Sequence, residues 1–311
     1  MILQGKPTVG VAGVGNMGAP MARTIAKAGF PVVLFDLNAK ALEAFGGEGG
    51  FALAETLEEL GQRCDIVVTM LPNSSVVRAA VMGRAPEGGI ADGLAARKAK
   101  SPNCPAIILD MSSSFALDTR RLGAELKERG IRLIDAPVSG GVPKARAGTL
   151  AIMAGGEASA IVEAEPVLKS MGNVIRTGDL GSGHAMKAIN NYVSAAGLIA
   201  TAEALLIGER LGLAPQTIAR VLNAATGKNN TTENKLTQYM IPRTFNAGFA
   251  LDLMAKDVAM ARALARELGI RAPALDFVSA DLDEASATLG PGADHTAVLH
   301  YRERKAATKE S

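Results

Sequence analysis

Apolar residues in the first half of the chain come in short, charge-free runs. TVGVAGV at 8–14, VVLF at Val32–Phe35, IVVTM at 66–70, IIL at 107–109 and LI at 133–134 each read as strands buried on both faces. Between them, residues 17–28 and 117–129 have helical character, the first stopped by Gly29. Short apolar strands alternating with helices predict right-handed βαβ units and a mostly parallel, doubly wound sheet covered on both sides. Residues 149–153, after a glycine-rich turn, predict an added strand that is open to antiparallel pairing. The stretch 83–105, rich in Gly, Pro and small residues with Arg97, Lys98 and Lys100, reads as a solvated surface loop.

After about residue 178 the texture changes. A long Ala- and Leu-rich helical run covers 183–211, and helical character returns at 215–225, 233–240, 252–268 and 273–288, broken by Gly, Pro and Asn clusters. The pattern predicts an α/β domain over residues 1–178 and an all-helical domain over 179–311, joined by a long interdomain helix. A length of 311 residues suits two domains. The charged end, 302–311, reads as a frayed tail.

Composition narrows the partners. Hydrophobic residues are 48% and charged residues 21%, the balance of a soluble globular protein. The 33 basic and 31 acidic side chains leave a net charge of +2, no field for a polyanion. With 4% aromatics and no tryptophan, nucleic acid is not an expected partner. The apolar stretch 190–208 contains Asn190, Asn191, Ser194, Thr201 and Glu203, so it reads as a helix buried in protein and not in lipid. Two cysteines and three histidines, with no His-x-x-x-His spacing, point away from a disulfide framework or a metal centre. No signal-like segment opens the chain, and a cytoplasmic location is expected.

Chemistry enters with Gly13-x-Gly15-x-x-Gly18, directly after the first strand and opening the first helix. In that setting Gly13 permits the tight turn and Gly15 lets backbone approach a pyrophosphate. Gly18 permits close helix–strand packing, and the N–H groups around Asn16 and Met17 face the anion. Residues 1–178 are thus expected to form a Rossmann dinucleotide-binding domain. Asp36 ends the second strand, where a carboxylate accepts hydrogen bonds from ribose hydroxyls and repels a 2′-phosphate, so NAD is favoured over NADP. Asp36 is also placed to cap a helix over 38–45, and the two roles are compatible.

Four segments stand in a telling order: GVGNMGAPMA with Asp36, DAPVSGGVPKARAGTLAIMAGG at 135–156, GSGHAMKAINN at 181–191 and FALDLMAKDVAMA at 249–261. The sequence resembles the β-hydroxyacid dehydrogenases, among them 3-hydroxyisobutyrate dehydrogenase and tartronate semialdehyde reductase, over nearly its whole length. The resemblance implies that Lys187 is the catalytic lysine, moving a proton between the substrate hydroxyl and itself while hydride passes between that carbon and the nicotinamide. The residues agree with it. Lys187 lies near the start of the long helix, where the dipole disfavours an ammonium, and a lysine desolvated there gives up its proton more readily. Asn191 shares its face four residues on.

The resemblance further implies that Ser139, Gly140 and Gly141 cradle the substrate carboxylate and that Asn191 orients the substrate beside Asn190. The 6-phosphogluconate branch carries histidine where Asn190 stands, which argues against oxidative decarboxylation. Lys256 corresponds to a cofactor-side lysine and Asp257 to its partner, with Phe249 as a wall. Leu71, Pro72 and Ser112 match positions beside the nicotinamide half of the cofactor, although Ser112 also suits a helix cap. In the 3-hydroxyisobutyrate enzymes a tryptophan falls in the stretch matching 226–235, where Asn230 stands here. A wall of Asn229, Asn230, Thr231 and Lys235 favours a more polar substrate.

The expectation is an NAD-dependent dehydrogenase interconverting a small 3-hydroxy acid and its semialdehyde, assembled as a homodimer or homotetramer, with no metal. Its rivals are an NADPH-dependent semialdehyde reductase, disfavoured by Asp36, and a catalytically silent dinucleotide-binding protein, disfavoured by Lys187.

Overall fold

The computed structural model describes residues 5–308. Their contacts divide the chain into two compact units, with the division falling between Lys187 and Ala188.

The first unit begins with β1 (Val9–Ala12), α1 (Gly18–Lys27), β2 (Val32–Phe35), α2 (Ala39–Glu43), β3 (Phe51–Leu53), α3 (Leu57–Arg63) and β4 (Ile66–Thr69). It continues through α4 (Ser74–Met82), α5 (Ile90–Lys100), β5 (Ile107–Asp110), α6 (Ala116–Glu128) and β6 (Arg132–Asp135). Strands β3–β2–β1–β4–β5–β6 lie side by side in that order and all run parallel. This is the doubly wound dinucleotide-binding topology that the apolar runs predict. Alternation along each strand divides the core. Val9 and Val11 join Met21, Ile25 and Leu168 on one face, while Ala12, Val67 and Ile108 join Leu60, Leu94 and Leu126 on the other. Each fully buried aliphatic side chain contributes about 1.5–3 kcal/mol.

After β6 come β7 (Val138–Ser139), α7 (Gly141–Ala147), β8 (Leu150–Gly155), α8 (Ala158–Met171) and β9 (Gly172–Gly178). The strand expected at 149–153 is β8, antiparallel to both β6 and β7 and parallel to β9.

One expectation is overturned. The stretch 83–105 is not a loop throughout, because α5 occupies Ile90–Lys100. Ile90, Ala91 and Leu94 are buried, and two glycines explain how a helix fits. A Cβ on Gly93 would lie 2.0 Å from the Glu58 carbonyl oxygen, and one on Gly61 would lie 2.3 Å from that of Ile90. Helices α3 and α5 therefore meet backbone to backbone. The basic residues Arg97 and Lys98 are structural: Arg97 pairs with Asp65 at 2.6 Å, and Lys98 donates to the Gly130 carbonyl at 2.6 Å. Nearby, burial pushes the Cys64 thiol up to about 12, which keeps it protonated and unreactive.

Helix α9 (Ser182–Arg210) runs from the first unit into the second. The second unit adds α10 (Pro215–Ala224), α11 (Asn230–Asn234), a π-helical turn (Leu236–Met240), α12 (Leu251–Glu267), α13 (Pro273–Leu289), a 3₁₀ turn (His295–Ala297) and α14 (Val298–Thr308). By length and composition α9 is apolar enough to cross a membrane. Its Ala195, Leu198, Ile199, Ala202 and Leu205 are instead buried in the helical core with Met254, Val258, Leu282 and Tyr301. The helix expected at 233–240 is split at Lys235, whose carbonyl accepts from both Tyr239 and Met240 and so opens the wider turn. The expected tail at 302–311 is helical as far as Thr308, since Arg302 pairs with Glu203 and Asp281, both at 2.6 Å. Residues 309–311 lie outside the described residues.

Candidate active site

The glycine loop is built by backbone constraints. Gly13 has φ +93°, and a Cβ there would lie 2.4 Å from the Met70 carbonyl oxygen. A Cβ on Gly18 would fall 1.9 Å from the Gly13 carbonyl oxygen, so the first turn of α1 sits directly on the loop. Gly15 is different. No atom lies within 4 Å of where its Cβ would be, and nothing in the protein demands a glycine there. Met17, which precedes the first turn, makes no side-chain cap, and Gly15 and Asn16 are exposed. An open approach to helix N–H groups suits a pyrophosphate.

Asp36 braces this loop. One carboxylate oxygen accepts from Val14 N at 2.8 Å and the other from Asn38 N at 2.8 Å. The cap of α2 is Asn38, which accepts from Lys40 N, and not Asp36. An ionised carboxylate has about four acceptor sites, so ribose hydroxyls can still be accommodated. Leu37, next in sequence, is 91% exposed.

At the ends of β4 and β5, the Ser112 hydroxyl accepts from Leu71 N at 2.9 Å. Ser112 is therefore not a helix cap; α6 begins at Ala116, and Phe115 N donates to Ser74 Oγ. Pro72 is exposed beside half-buried Leu71. Asp110 accepts from Thr69 Oγ1 at 2.9 Å, Ser112 N at 3.1 Å and Ser114 Oγ at 2.8 Å.

Lys187 is 8% exposed, in the second turn of α9, and its Nζ donates to the Val138 carbonyl at 2.9 Å. Val138 and Ser139 form β7, so the lysine is anchored one residue before Ser139. Gly140 (φ +132°) and Gly141 (φ +66°) follow on an exposed turn. The helix start is held close to the sheet. A Cβ on Gly183 would lie 2.2 Å from the Met153 carbonyl oxygen, and Asp135 accepts from Gly181 N at 2.8 Å and His184 N at 2.7 Å. Burial pushes the Asp135 carboxyl above the ordinary aspartate range, against the pull of His184 and these N–H groups.

In the helical unit, Asn191 Nδ2 donates to Asp257 Oδ2 at 2.6 Å, and Asn190 Nδ2 donates to Asn191 Oδ1 at 3.1 Å. Lys256 Nζ lies 3.6 Å from the other oxygen of Asp257. Four of the sequence-marked residues thus form one connected group. Phe249 stands apart, edge-on to His295, whose Nδ1 donates to the Phe249 carbonyl at 2.9 Å. Asn230 opens α11 on its exposed side, while its neighbour Asn229 accepts from Thr231 N and Thr232 N. Sequence reasoning passed over Asp135, His184 and Thr119, although the first two stand inside the quoted motifs. Among the described residues no group of three His, Cys, Asp or Glu side chains gathers as a metal site.

Known proteins are similar to this chain in sequence and architecture. The NAD binding domain of 6-phosphogluconate dehydrogenase matches residues 8–180, and the NAD-binding domain of NADP-dependent 3-hydroxyisobutyrate dehydrogenase matches 181–302. A 2-(hydroxymethyl)glutarate dehydrogenase of Eubacterium barkeri is 33% identical over 95% of both chains. An NAD-dependent L-serine dehydrogenase of Pseudomonas aeruginosa is 34% identical over 82% of this chain and 84% of its own. The solved structure of Mycobacterium tuberculosis 3-hydroxyisobutyrate dehydrogenase with L-serine superposes with a TM-score of 0.83 at 32% identity, covering 96% of this chain and 99% of the other. The chain uses a nicotinamide dinucleotide and is an oxidoreductase belonging to the β-hydroxyacid dehydrogenase family.

Proposed function

We propose that this chain is an NAD-dependent dehydrogenase that interconverts a small, polar 3-hydroxy acid and its semialdehyde. One observation carries the reading: a lysine 8% exposed, near a helix start, with its amine held by the Val138 carbonyl next to Ser139 and the Gly140–Gly141 turn. The Ser139 hydroxyl and the N–H groups of that turn bind the substrate carboxylate. Lys187 takes the proton from the substrate hydroxyl as the C–H bond breaks, and returns it to the carbonyl oxygen in the reverse direction. Asn191, aimed by its bond to Asp257, orients the substrate from the next turn of the same helix. Bound NAD supplies the hydride acceptor. Gly13, Gly15 and Gly18 admit its pyrophosphate, Asp36 its adenosine ribose, and Leu71, Pro72 and Ser112 its nicotinamide half, with Lys256 on the cofactor side.

A polar substrate is our inference from the segment that holds Lys235. Burial brings its ammonium down to about 8, opposed by Asp294, so it remains charged at neutral pH. Asp294 is engaged elsewhere, accepting from Gly248 N at 2.8 Å and Thr296 N at 2.9 Å. The polar stretch 226–235, with Asn230 and Lys235 where the 3-hydroxyisobutyrate enzymes carry a tryptophan, suits a hydroxylated or second anionic group better than a methyl. The E. barkeri relative named for 2-(hydroxymethyl)glutarate and the P. aeruginosa relative named for L-serine support that choice. The exposed apolar side chains of Val193, Ile207 and Leu211 support a homodimer or homotetramer.

The test is reduction of NAD and NADP, side by side, with 3-hydroxyisobutyrate, glycerate, serine, 2-(hydroxymethyl)glutarate and sulfonated diols. Turnover with NAD and a polar acid is expected. Lys187→Ala should lower kcat by about 10²–10⁴-fold while NAD still binds. A variant that keeps its turnover, or loses NAD binding as well, contradicts the role given to Lys187.

A further inference from the structure

The third residue of α9 is a histidine, and it is 1% exposed. An imidazole is costly to bury unless both ring nitrogens find partners. Here both do: Nδ1 meets Thr119 Oγ1 at 2.8 Å, and Nε2 meets the Ser112 carbonyl at 3.1 Å. A carbonyl only accepts, so Nε2 carries a proton. Two buried carboxylates flank the ring, Asp110 at 3.7 Å from Nε2 and Asp135 at 3.8 Å from Nδ1. The backbone of the same residue donates to Asp135, so His184 is fixed to β6 through its N–H and to the loop after β5 through its ring.

An apolar side chain of similar volume would pack the same place without linking anything. The partners of His184 are specific. Ser112 is the residue whose hydroxyl accepts Leu71 N, and its own N–H is held by Asp110. One turn beyond His184 on the helix is Lys187, whose reach to the Val138 carbonyl depends on where the helix sits along its axis. The ring thus joins the two strand-end loops assigned to the nicotinamide half of the cofactor to the helix that carries the lysine.

We propose that His184 is a positioning residue: through Ser112 and Thr119 it sets the register of the Lys187 helix against the Leu71–Ser112 loops, and so aligns proton transfer with hydride transfer. The proposal rests on the function proposed above. An ångström of misplacement in such a site costs about 10²-fold in rate.

Three variants test it: His184→Ala, His184→Gln, which keeps an N–H for the Ser112 carbonyl, and Thr119→Val, which removes the hydroxyl and keeps the shape. Four readouts are taken: kcat and KM for an acid that the wild type oxidises, NAD affinity by calorimetry, thermal unfolding without NAD, and the rate of Lys187 acetylation by acetic anhydride, read by peptide mass spectrometry. His184→Ala should lower kcat by about 10–100-fold with KM and NAD affinity nearly unchanged, and Lys187 should acetylate several-fold faster. His184→Gln should recover most of both, and Thr119→Val should fall between. A folded His184→Ala with wild-type kcat and wild-type acetylation overturns the proposal, as do losses in Ala and Gln that are equal and track the melting temperature. If His184→Ala does not fold, Thr119→Val decides, and wild-type values there overturn the proposal. If the wild type oxidises no acid, the proposed function falls, and acetylation of Lys187 still decides whether His184 sets its position.

Discussion

His295 is the side chain whose charge the fold most plainly refuses. Burial, with the nearby Lys235 ammonium second, pushes its imidazole down to about 4, against the opposing pull of Asp294 and the Phe249 carbonyl. Its folded value lies below its ordinary one, so its contribution to stability is present above about pH 6.5 and lost as pH falls through 4. The loss is on the order of 3 kcal/mol. Urea unfolding at pH 7, 5.5 and 4 should show wild type losing stability faster than His295→Asn, and parallel curves would contradict this. Lys235 has the same dependence in a higher pH window. Its folded value of about 8 lies below that of an ordinary lysine, so the native state gains stability as pH rises from 8 towards 10.5.

Elements were legible to the extent that their residues advertise themselves locally. Strands β1, β2, β4 and β5 are apolar on both faces, and no alternative reading competes with such runs. Helix α5 was hidden because its buried side is made partly of glycine, which reads as loop until a second glycine, 32 residues away, is known to face it. Gly93→Ala tests this contact. Although alanine favours a helix, its Cβ would meet the Glu58 carbonyl, and a net destabilisation of about 1–3 kcal/mol is expected in thermal unfolding. An unchanged or higher melting temperature would mean that α3 and α5 separate freely. The candidate site divides the same way. Lys187, Asn191 and the glycine loop stand in recognisable spacings. The bond from Asn191 to Asp257 joins residues 66 apart, and the ring of His184 meets a carbonyl 72 residues away, so neither could be read locally.

At the level of the whole molecule, apolar surface remains unexplained by a single chain. Val193 and Ile207 are each 63% exposed and fourteen residues apart on α9, close to the same face. Sedimentation should find the wild type as a dimer or tetramer, and Val193→Glu combined with Ile207→Glu should yield monomers. A wild type that sediments as a monomer removes that proposal. Helix α9 also limits how genes of this kind can be recombined. Each residue turns the helix by about 100°, so a junction that gains or loses one residue between Lys187 and Asn191 would swing the two apart, however well each half folds. Viable chimeras should therefore join before Ser182 or beyond Arg210, and the helix should be inherited whole.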